Sequence, residues 1–310
     1  LVLGAGISGL AAAYELNRAG YDCMVLEASH RAGGRNFTIR SGTVIDEIGA
    51  RQVCEFDDEP HLYFNAGPAR IPADHQRLLG YCRELGVPLE IFVNENRNAW
   101  IQDDRMLAGR PIRNREYVTD VRGFMSELLA KCVSEDALDR PFDGLDIDRV
   151  RQFASAFGDL DDDLAYHGSE RAGIAGGGMI TPAVHKDVRA LSELLKGSFW
   201  RFSMNWGELM DQAAPMMQPV GGMDQVVAGF MRQVGHLVRL KSQVTSIRIG
   251  EAQDGVDVSY LDPEGTLQHV HADYCLNSMP SHILAGIDHN FPAPYRQALE
   301  DIGRGKLFKI

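Results

Sequence analysis

The sequence lacks the features that mark membrane proteins and nucleic-acid-binding proteins. Its longest apolar run, residues 1–14, is shorter than the roughly 20 residues that a helix needs to cross a bilayer. It contains 31 basic and 43 acidic residues, which gives a formal net charge of −12. The chain therefore has no basic surplus of the kind that phosphate contacts usually require. We expect no membrane span and no nucleic-acid partner.

Cysteine is scarce as well, and its spacing excludes two common ways of stabilising a small domain. A disulfide framework or a structural zinc site needs closely spaced, repeated pairs, and the sequence has no CxxC pair. We interpret the cysteines as free thiols, which favours a reducing compartment such as the cytoplasm, and we expect no metal site. The five cysteines are Cys23, Cys54, Cys82, Cys132 and Cys275.

Glycine, in contrast, is in excess. It accounts for 32 of the 310 residues, about a tenth against a usual ~7%. The first glycine cluster lies between a short apolar strand at residues 1–3 and a helical pattern over residues 8–19, and a second apolar run follows at residues 23–26. This order predicts a strand–helix–strand unit in which the helix covers a parallel sheet. The cluster is a GxGxxG pattern formed by Gly4, Gly6 and Gly9.

Each glycine of this pattern has a physical role in binding a dinucleotide. The first permits the tight turn, the second lets the backbone approach a pyrophosphate, and the third lets the helix pack closely on the strand. The start of the helix, at Ile7 and Ser8, offers free N–H groups and a positive dipole end to the phosphate. Glu27 lies at the end of the second strand, where a carboxylate can accept hydrogen bonds from ribose hydroxyls. These residues leave NAD and FAD open.

The next motif distinguishes the two dinucleotides. Residues 31–35 read RAGGR and follow Glu27 closely, so a second glycine pair and two arginines can run beside the pyrophosphate. With this motif the sequence resembles the flavin-containing amine oxidase family; a nicotinamide dehydrogenase would not need RxGGR. The resemblance implies a tightly bound FAD. The residues that it assigns to cofactor binding in this part of the chain are Gly4, Gly6, Ile7, Ser8, Gly9, Glu27, Ala28, Gly34 and Arg35.

A second segment concerns the substrate. Gly67-Pro68-Ala69-Arg70 forms a constrained turn before Pro72. A guanidinium held in this way can bind a carboxylate through two parallel hydrogen bonds, although an arginine in a turn is more often solvated or structural. Together with an ExxNAW stretch at residues 95–100, the segment resembles the L-amino-acid oxidase branch of the family. That resemblance implies that Arg70 binds the α-carboxylate of the substrate, while the backbone of Gly67, Pro68, Ala69 and Arg70 lies against the flavin ring.

Two further assignments follow from the resemblance. A GGMDQ turn at residues 221–225 leads to a strand in which Val244 corresponds to a residue whose backbone meets the adenine. Near the end of the chain, Lys309 corresponds to a lysine that holds a catalytic water near flavin N5, and Lys306 is a competing candidate.

The same resemblance implies an α/β fold. We expect an FAD-binding, Rossmann-like domain of the glutathione-reductase type, a mixed-sheet substrate domain and a helical insertion. Residues 1–52 and 216–300 are assigned to the FAD-binding domain, and residues 53–104 and 301–310 to an incomplete substrate domain. Residues 105–215 are assigned to the helical domain, with helical patterns over 118–133, 146–157 and 187–195.

The expected activity is the oxidative deamination of an L-amino acid by FAD and molecular oxygen, which yields a 2-oxo acid, ammonia and hydrogen peroxide. The alternatives are a monoamine or polyamine oxidase, an amino-acid 2-monooxygenase and a non-catalytic flavin-binding chain. The sequence starts and ends with strand-like residues and lacks the family's C-terminal flavin motif. We therefore expect a fragment whose flavin site is completed by a further chain or segment, and we also expect a homo-oligomer.

Overall fold

The computed structural model describes residues 1–47, 50–132, 147–178, 180–201, 204–209, 212–250 and 254–303. The chain divides into two compact units, residues 1–92 with 215–310 and residues 93–214. The assignment to three domains is finer than this division and stays a prediction. Within the described ranges, no helix combines the length and the apolar character that crossing a membrane requires.

The first unit is built around a small parallel sheet. The helix Ile7–Arg18 connects the two central strands, and the strand residues are buried because their apolar side chains are covered on both faces. This arrangement is the strand–helix–strand unit that the sequence predicts. The strand order is Val238–Arg239, Val25–Leu26, Val2–Leu3 and Leu276–Asn277, all parallel.

A mixed sheet, antiparallel in three of its four strands, packs against this parallel sheet. Val244, Ile247 and Val258 share a core with Leu3 and Leu26. The register shift between Val244 and Ser246 allows Val244 and Ile247, which are three residues apart, to lie on the same face. A hairpin turn at residues 262–265 joins the strands Val256–Leu261 and Leu267–Ala272. The strand order is Leu267–Ala272, Val256–Leu261, Gln243–Ile249 and Asp288–His289, the last pair being parallel.

The remaining elements of the first unit are short. The strand Met216–Pro219 lies between Ile71–Pro72 and Leu89–Ile91 in an antiparallel sheet. Two further antiparallel pairs join Thr38–Ile39 to Phe64–Asn65 and Val44–Glu47 to Ala50–Val53. The helices of this unit besides the first are Gln76–Glu84, Asp224–Val234, Ser281–Leu284 and Ala293–Asp301, with a 3₁₀ turn at Gly235–Leu237.

Three aromatic rings join the helices 7–18, 76–84 and 224–234. Phe230 is completely buried, and its ring centroid lies 5.8 Å from that of Tyr14 and 5.2 Å from that of Tyr81, both in edge-to-face geometry. Such pairs stabilise a core beyond the burial of their area. Phe230 therefore holds the helix that follows the GGMDQ turn against the helix that follows the glycine loop.

Truncation of Phe230 is expected to destabilise the first unit strongly. Phe230→Ala removes a buried ring and leaves a cavity, so we expect the free energy of unfolding to fall by about 3–5 kcal/mol. Phe230→Leu keeps most of the volume and should cost about 1 kcal/mol. Denaturant unfolding of the two variants measures the difference, and equal losses would show that the ring is not packed as described.

Helices are the longest elements that the structure describes in the second unit. Its two long helices, Asn114–Cys132 and Ile147–Gly158, pack closely where Gly158 meets Ser126. Strand pairs join Trp100–Ile101 to Ile112–Arg113 and Ile174–Gly176 to Val184–His185. The other elements of this unit are the short helix Leu191–Leu194 and 3₁₀ turns at Leu107–Gly109, Glu170–Ala172, Phe199–Arg201 and Trp206–Glu208.

The predicted helix over residues 187–195 is largely wrong, since only residues 191–194 are helical. Hydrogen bonds to buried carboxylates hold the preceding residues, which are not helical. Asp120 accepts the backbone N–H of Arg189 at 2.9 Å, and Glu116 pairs with Lys186 at 2.6 Å. Burial raises the pKa of Asp120. These contacts span about 70 residues along the chain, so a local helical pattern does not reveal them.

Candidate functional site

Contacts within the folded chain explain two of the three glycines of the GxGxxG loop. Gly4 has a φ of +94°, a conformation that side chains other than glycine rarely adopt. A Cβ atom at Gly9 would lie 1.9 Å from the carbonyl oxygen of Gly4. The hydroxyl of Ser278 donates a hydrogen bond to the carbonyl oxygen of Leu3 at 2.9 Å and so holds the start of the loop. Gly4 and Gly9 are therefore required by the folded chain.

Gly6 is different, because no described residue requires it to be glycine. Its φ is −67°, and a Cβ atom there would meet no atom of the described residues within 4 Å. It precedes the helix Ile7–Arg18, whose first N–H groups, at Ile7, Ser8 and Gly9, have no carbonyl partner within the helix. Open space beside a glycine at the positive end of a helix fits a pyrophosphate.

The RxGGR segment lies along the same space. The N–H of Gly33 donates to the carbonyl of Ala5 at 2.7 Å, and Gly33 pairs with Gly6 in a parallel bridge. Gly34 has a φ of +53°, and a Cβ atom there would lie 3.4 Å from the Cα of Gly6. Arg35 follows and is exposed. The two glycine motifs, 27 residues apart, thus form one cradle.

Glu27 is held firmly beside this cradle. Its Oε2 accepts the N–H of Ala5 at 2.7 Å, and its Oε1 accepts the N–H of Ser29 at 2.9 Å and the hydroxyl of Ser29 at 2.7 Å. A carboxylate fixed at this place, with lone pairs still available, fits the ribose of a dinucleotide. The neighbouring Ala28 is exposed.

The strand of Val244 starts close to Glu27. The N–H of Ser242 donates to the carbonyl of Glu27 at 2.8 Å, two residues before Val244. The side chain of Val244 is buried in the core. Only the backbone of Val244 could therefore reach a ligand, and its contact with the adenine stays a prediction.

The GPxR segment lies against the RxGGR segment. A Cβ atom at Gly67 would be 1.9 Å from the carbonyl oxygen of Arg35, and the N–H of Ala66 donates to the carbonyl of Phe37 at 2.9 Å. Pro68 is exposed, whereas Ala69 and Arg70 are partly buried just before the strand Ile71–Pro72. The structure thus brings the predicted substrate segment next to the predicted cofactor segment.

Sequence reasoning missed three polar side chains in this region. Thr38 and Asn65 are buried and hydrogen-bonded to each other at 2.8 Å. Arg40 pairs with Asp224 of the GGMDQ turn through both guanidinium nitrogens, at 2.7 and 3.0 Å, and this pairing raises the pKa of Arg40. A buried polar residue gives no signal in the sequence when its partners are distant along the chain.

Two further predictions concern the catalytic lysine and metal binding. Lys309 and its competitor Lys306 lie outside the described residues, so the assignment of the catalytic lysine stays a prediction. In the part of the chain that the structure describes, no three His, Cys, Asp or Glu side chains come together as a metal site would need.

The chain is similar to known flavoenzymes over most of its length. A family model described as flavin-containing amine oxidoreductase matches residues 7–310. An L-amino-acid oxidase of Gloydius halys is 28% identical over 312 residues, covering 96% of this chain and 55% of that protein. An L-amino-acid oxidase of Pseudechis australis is 26% identical over 310 residues, covering 96% and 54%. The chain thus spans about half the length of these relatives.

Solved structures agree on the fold. The cyclohexylamine oxidase of Brevibacterium oxydans IH-35A has a TM-score of 0.51 at 18% identity, covering 96% of this chain and 62% of that one. A putrescine oxidase variant has a TM-score of 0.50 at 22% identity, with the same coverage. The predicted α/β fold with a Rossmann-like FAD-binding domain is confirmed. Since the family model spans nearly the whole chain, this chain belongs to the flavin-containing amine oxidoreductase family, and its cofactor is FAD.

Proposed function

We propose that this chain is part of an FAD-dependent L-amino-acid oxidase. The observation that carries the proposal is the position of Arg70. It follows the turn at Gly67, which packs on Arg35, and Arg35 follows the glycine pair that lines the open space beside Gly6. Arg70 is partly buried and lies three residues after a turn that packs against the cofactor cradle. The similarity to proteins named L-amino-acid oxidase is in line with a carboxylate-bearing substrate.

The residues of the cradle would hold FAD in a defined orientation. The N–H groups of Ile7 and Ser8 would bind the pyrophosphate, Glu27 the adenosine ribose, and the backbone of Val244 the adenine. When bound, FAD would supply the acceptor for a hydride from the substrate Cα, with molecular oxygen as the final acceptor and hydrogen peroxide as its product. The resulting imino acid takes up water and releases ammonia, leaving the 2-oxo acid.

The protein's own contribution is binding and orientation. Arg70 would bind the α-carboxylate with two parallel N–H···O bonds, which fixes the Cα–H bond as well as the charge. The amine must be neutral to release hydride, and removal of water around it lowers the pKa of an ammonium group. The pairing of Arg70 with the carboxylate therefore selects amino acids and sets their direction of approach.

A matched substrate panel tests this proposal. With the full-length protein, L-leucine should be oxidised with a kcat/KM at least about 100-fold above that of 3-methylbutylamine. Charge-assisted hydrogen bonds to the carboxylate are worth about 3 kcal/mol, and 1.36 kcal/mol is tenfold in rate. Peroxide, ammonia and 2-oxo acid are measured in the same reactions, and D-leucine serves as the stereochemical control.

Each alternative predicts a different product pattern. A preference for 3-methylbutylamine would show a monoamine or polyamine oxidase, and an amide with carbon dioxide would show an amino-acid 2-monooxygenase. A yellow protein that yields no product from any substrate would show a binding role. Any of these results would overturn the proposal.

A further inference from the structure

Two buried side chains connect three motifs that are far apart in the sequence. Thr38 lies three residues after the RxGGR segment, and Asn65 lies two residues before the GPxR segment. They are directly opposite each other in the antiparallel pair Thr38–Ile39 with Phe64–Asn65. Their exposed fractions are only 4% and 7%. Buried polar groups at such positions are stable only if they are hydrogen-bonded.

The hydrogen bonds of this pair extend to the GGMDQ turn. The hydroxyl of Thr38 donates to Oδ1 of Asn65 at 2.8 Å, and the same Oδ1 accepts the N–H of Met223 at 3.0 Å. The N–H of Asp224 donates to Oγ1 of Thr38 at 3.1 Å. Two side chains thus satisfy the first N–H groups at the start of the helix Asp224–Val234 and hold the two strands to it.

Close packing and an ion pair reinforce the same junction. A Cβ atom at Gly222 would lie 2.5 Å from Cγ2 of Thr38, so the turn is pressed against this side chain. Arg40, on the same face two residues later, binds both carboxylate oxygens of Asp224 and the carbonyl of Gly221. The segment from Thr38 to Arg40 therefore has little freedom to move relative to the turn.

We propose that Thr38 and Asn65 are positioning residues that set where the segment Gly67–Arg70 lies relative to the flavin cradle. This inference rests on the proposed function, in which Arg70 binds the substrate carboxylate. Asn65 is separated from Gly67 by one residue, and Gly67 already contacts the Arg35 carbonyl. A shift of Asn65 is therefore passed directly to the turn that carries Arg70.

Loss of a positioning residue should affect catalysis, whereas loss of an ordinary helix cap should affect only stability. A misplacement of about 1 Å at a substrate-orienting group can cost about 100-fold in rate. A capping residue that only stabilises the helix would change stability and leave the binding of substrate and flavin as it was.

Thr38→Val and Thr38→Ser form the matched pair that tests the inference. Valine keeps the shape of threonine and removes the hydroxyl, while serine keeps the hydroxyl. In the full-length protein, Thr38→Val should raise the KM for L-leucine about tenfold and shift the visible absorption of the bound flavin, because loss of one hydrogen-bonding group releases the turn. Thr38→Ser should stay within about twofold of the wild type in KM and keep its flavin spectrum.

A lower melting temperature of Thr38→Val with an unchanged KM and flavin spectrum would overturn the inference and leave only a cap. If Thr38→Val does not fold, Asn65→Ala and Asn65→Asp replace it. Aspartate keeps an oxygen acceptor for Thr38 and Met223, so it should restore the KM and the flavin spectrum that alanine changes. Equal values for the alanine and aspartate variants would count against positioning.

The substrate preference of the wild type tests the proposed function separately from the positioning role of Thr38 and Asn65. If the wild type oxidises 3-methylbutylamine in preference to L-leucine, the proposed function fails. The Thr38 pair is then compared by the flavin spectrum and by the KM for that amine. If the wild type prefers L-leucine and the Thr38 pair behaves alike, the positioning role alone is rejected.

Discussion

Gly6→Ala is expected to give a folded protein that does not retain flavin. The backbone of Gly6 has an ordinary φ of −67°, and an added methyl group would meet no described atom within 4 Å. The methyl group would instead occupy the space that fits the pyrophosphate. Losing charge-assisted hydrogen bonds there, at about 3 kcal/mol in total, corresponds to a flavin affinity at least about 100-fold weaker.

Gly80→Ala is the matched control for this prediction. Gly80 lies in the helix Gln76–Glu84, and a methyl group there also meets no described atom within 4 Å. Alanine in a helix should stabilise it by about 0.5–1 kcal/mol, with no effect on flavin content. Gly9→Ala is unsuitable for the comparison, because its Cβ would collide with the Gly4 carbonyl and disturb the fold itself.

The measurement combines flavin content with folding. The ratio of flavin to protein absorbance after gel filtration, a flavin titration of the apoprotein and circular dichroism are compared for both variants. Flavin binding by Gly6→Ala at wild-type affinity would show that the open space beside Gly6 does not belong to the cofactor. Loss of flavin by Gly80→Ala would show that the assay reports general damage.

The sequence predicted those parts of the fold that depend on neighbouring residues. The GxGxxG loop could be found because one short stretch supplies the strand, the turn and the helix start, and its glycines meet local steric demands at Gly4 and Gly9. RxGGR and GPxR were found only through the family resemblance, since nothing local shows that Gly34 reaches Gly6 or that Gly67 reaches Arg35.

The contacts that the sequence did not predict join distant residues. Thr38 meets Asp224 across 186 positions, and Asn65 meets Met223 across 158. A threonine or asparagine of this kind looks like any exposed polar residue, because its burial is decided by the tertiary fold. The helix predicted from residue 187 begins only at residue 191 for the same reason, because Glu116 and Asp120, which bind the segment before it, lie on a distant helix.

Arg70→Ala is expected to have the largest effect on the reaction itself. Without the guanidinium, the carboxylate of L-leucine loses both its charge partner and its orientation, so KM should rise about 100-fold or more, in line with the loss of about 3 kcal/mol. Arg70→Lys keeps the charge without the planar pair of donors, and its KM should be intermediate. Steady-state kinetics with peroxide detection measure all three proteins.

The matched amine shows whether this loss comes from the carboxylate. Wild type should strongly prefer L-leucine to 3-methylbutylamine, whereas Arg70→Ala should oxidise the two with similar KM values, because neither can then use a carboxylate contact. Arg77→Ala removes an exposed arginine of the helix Gln76–Glu84 and should leave both KM values unchanged. If Arg70→Ala keeps the wild-type KM for L-leucine, Arg70 does not bind the substrate carboxylate, and the support for an amino-acid substrate from this segment is lost.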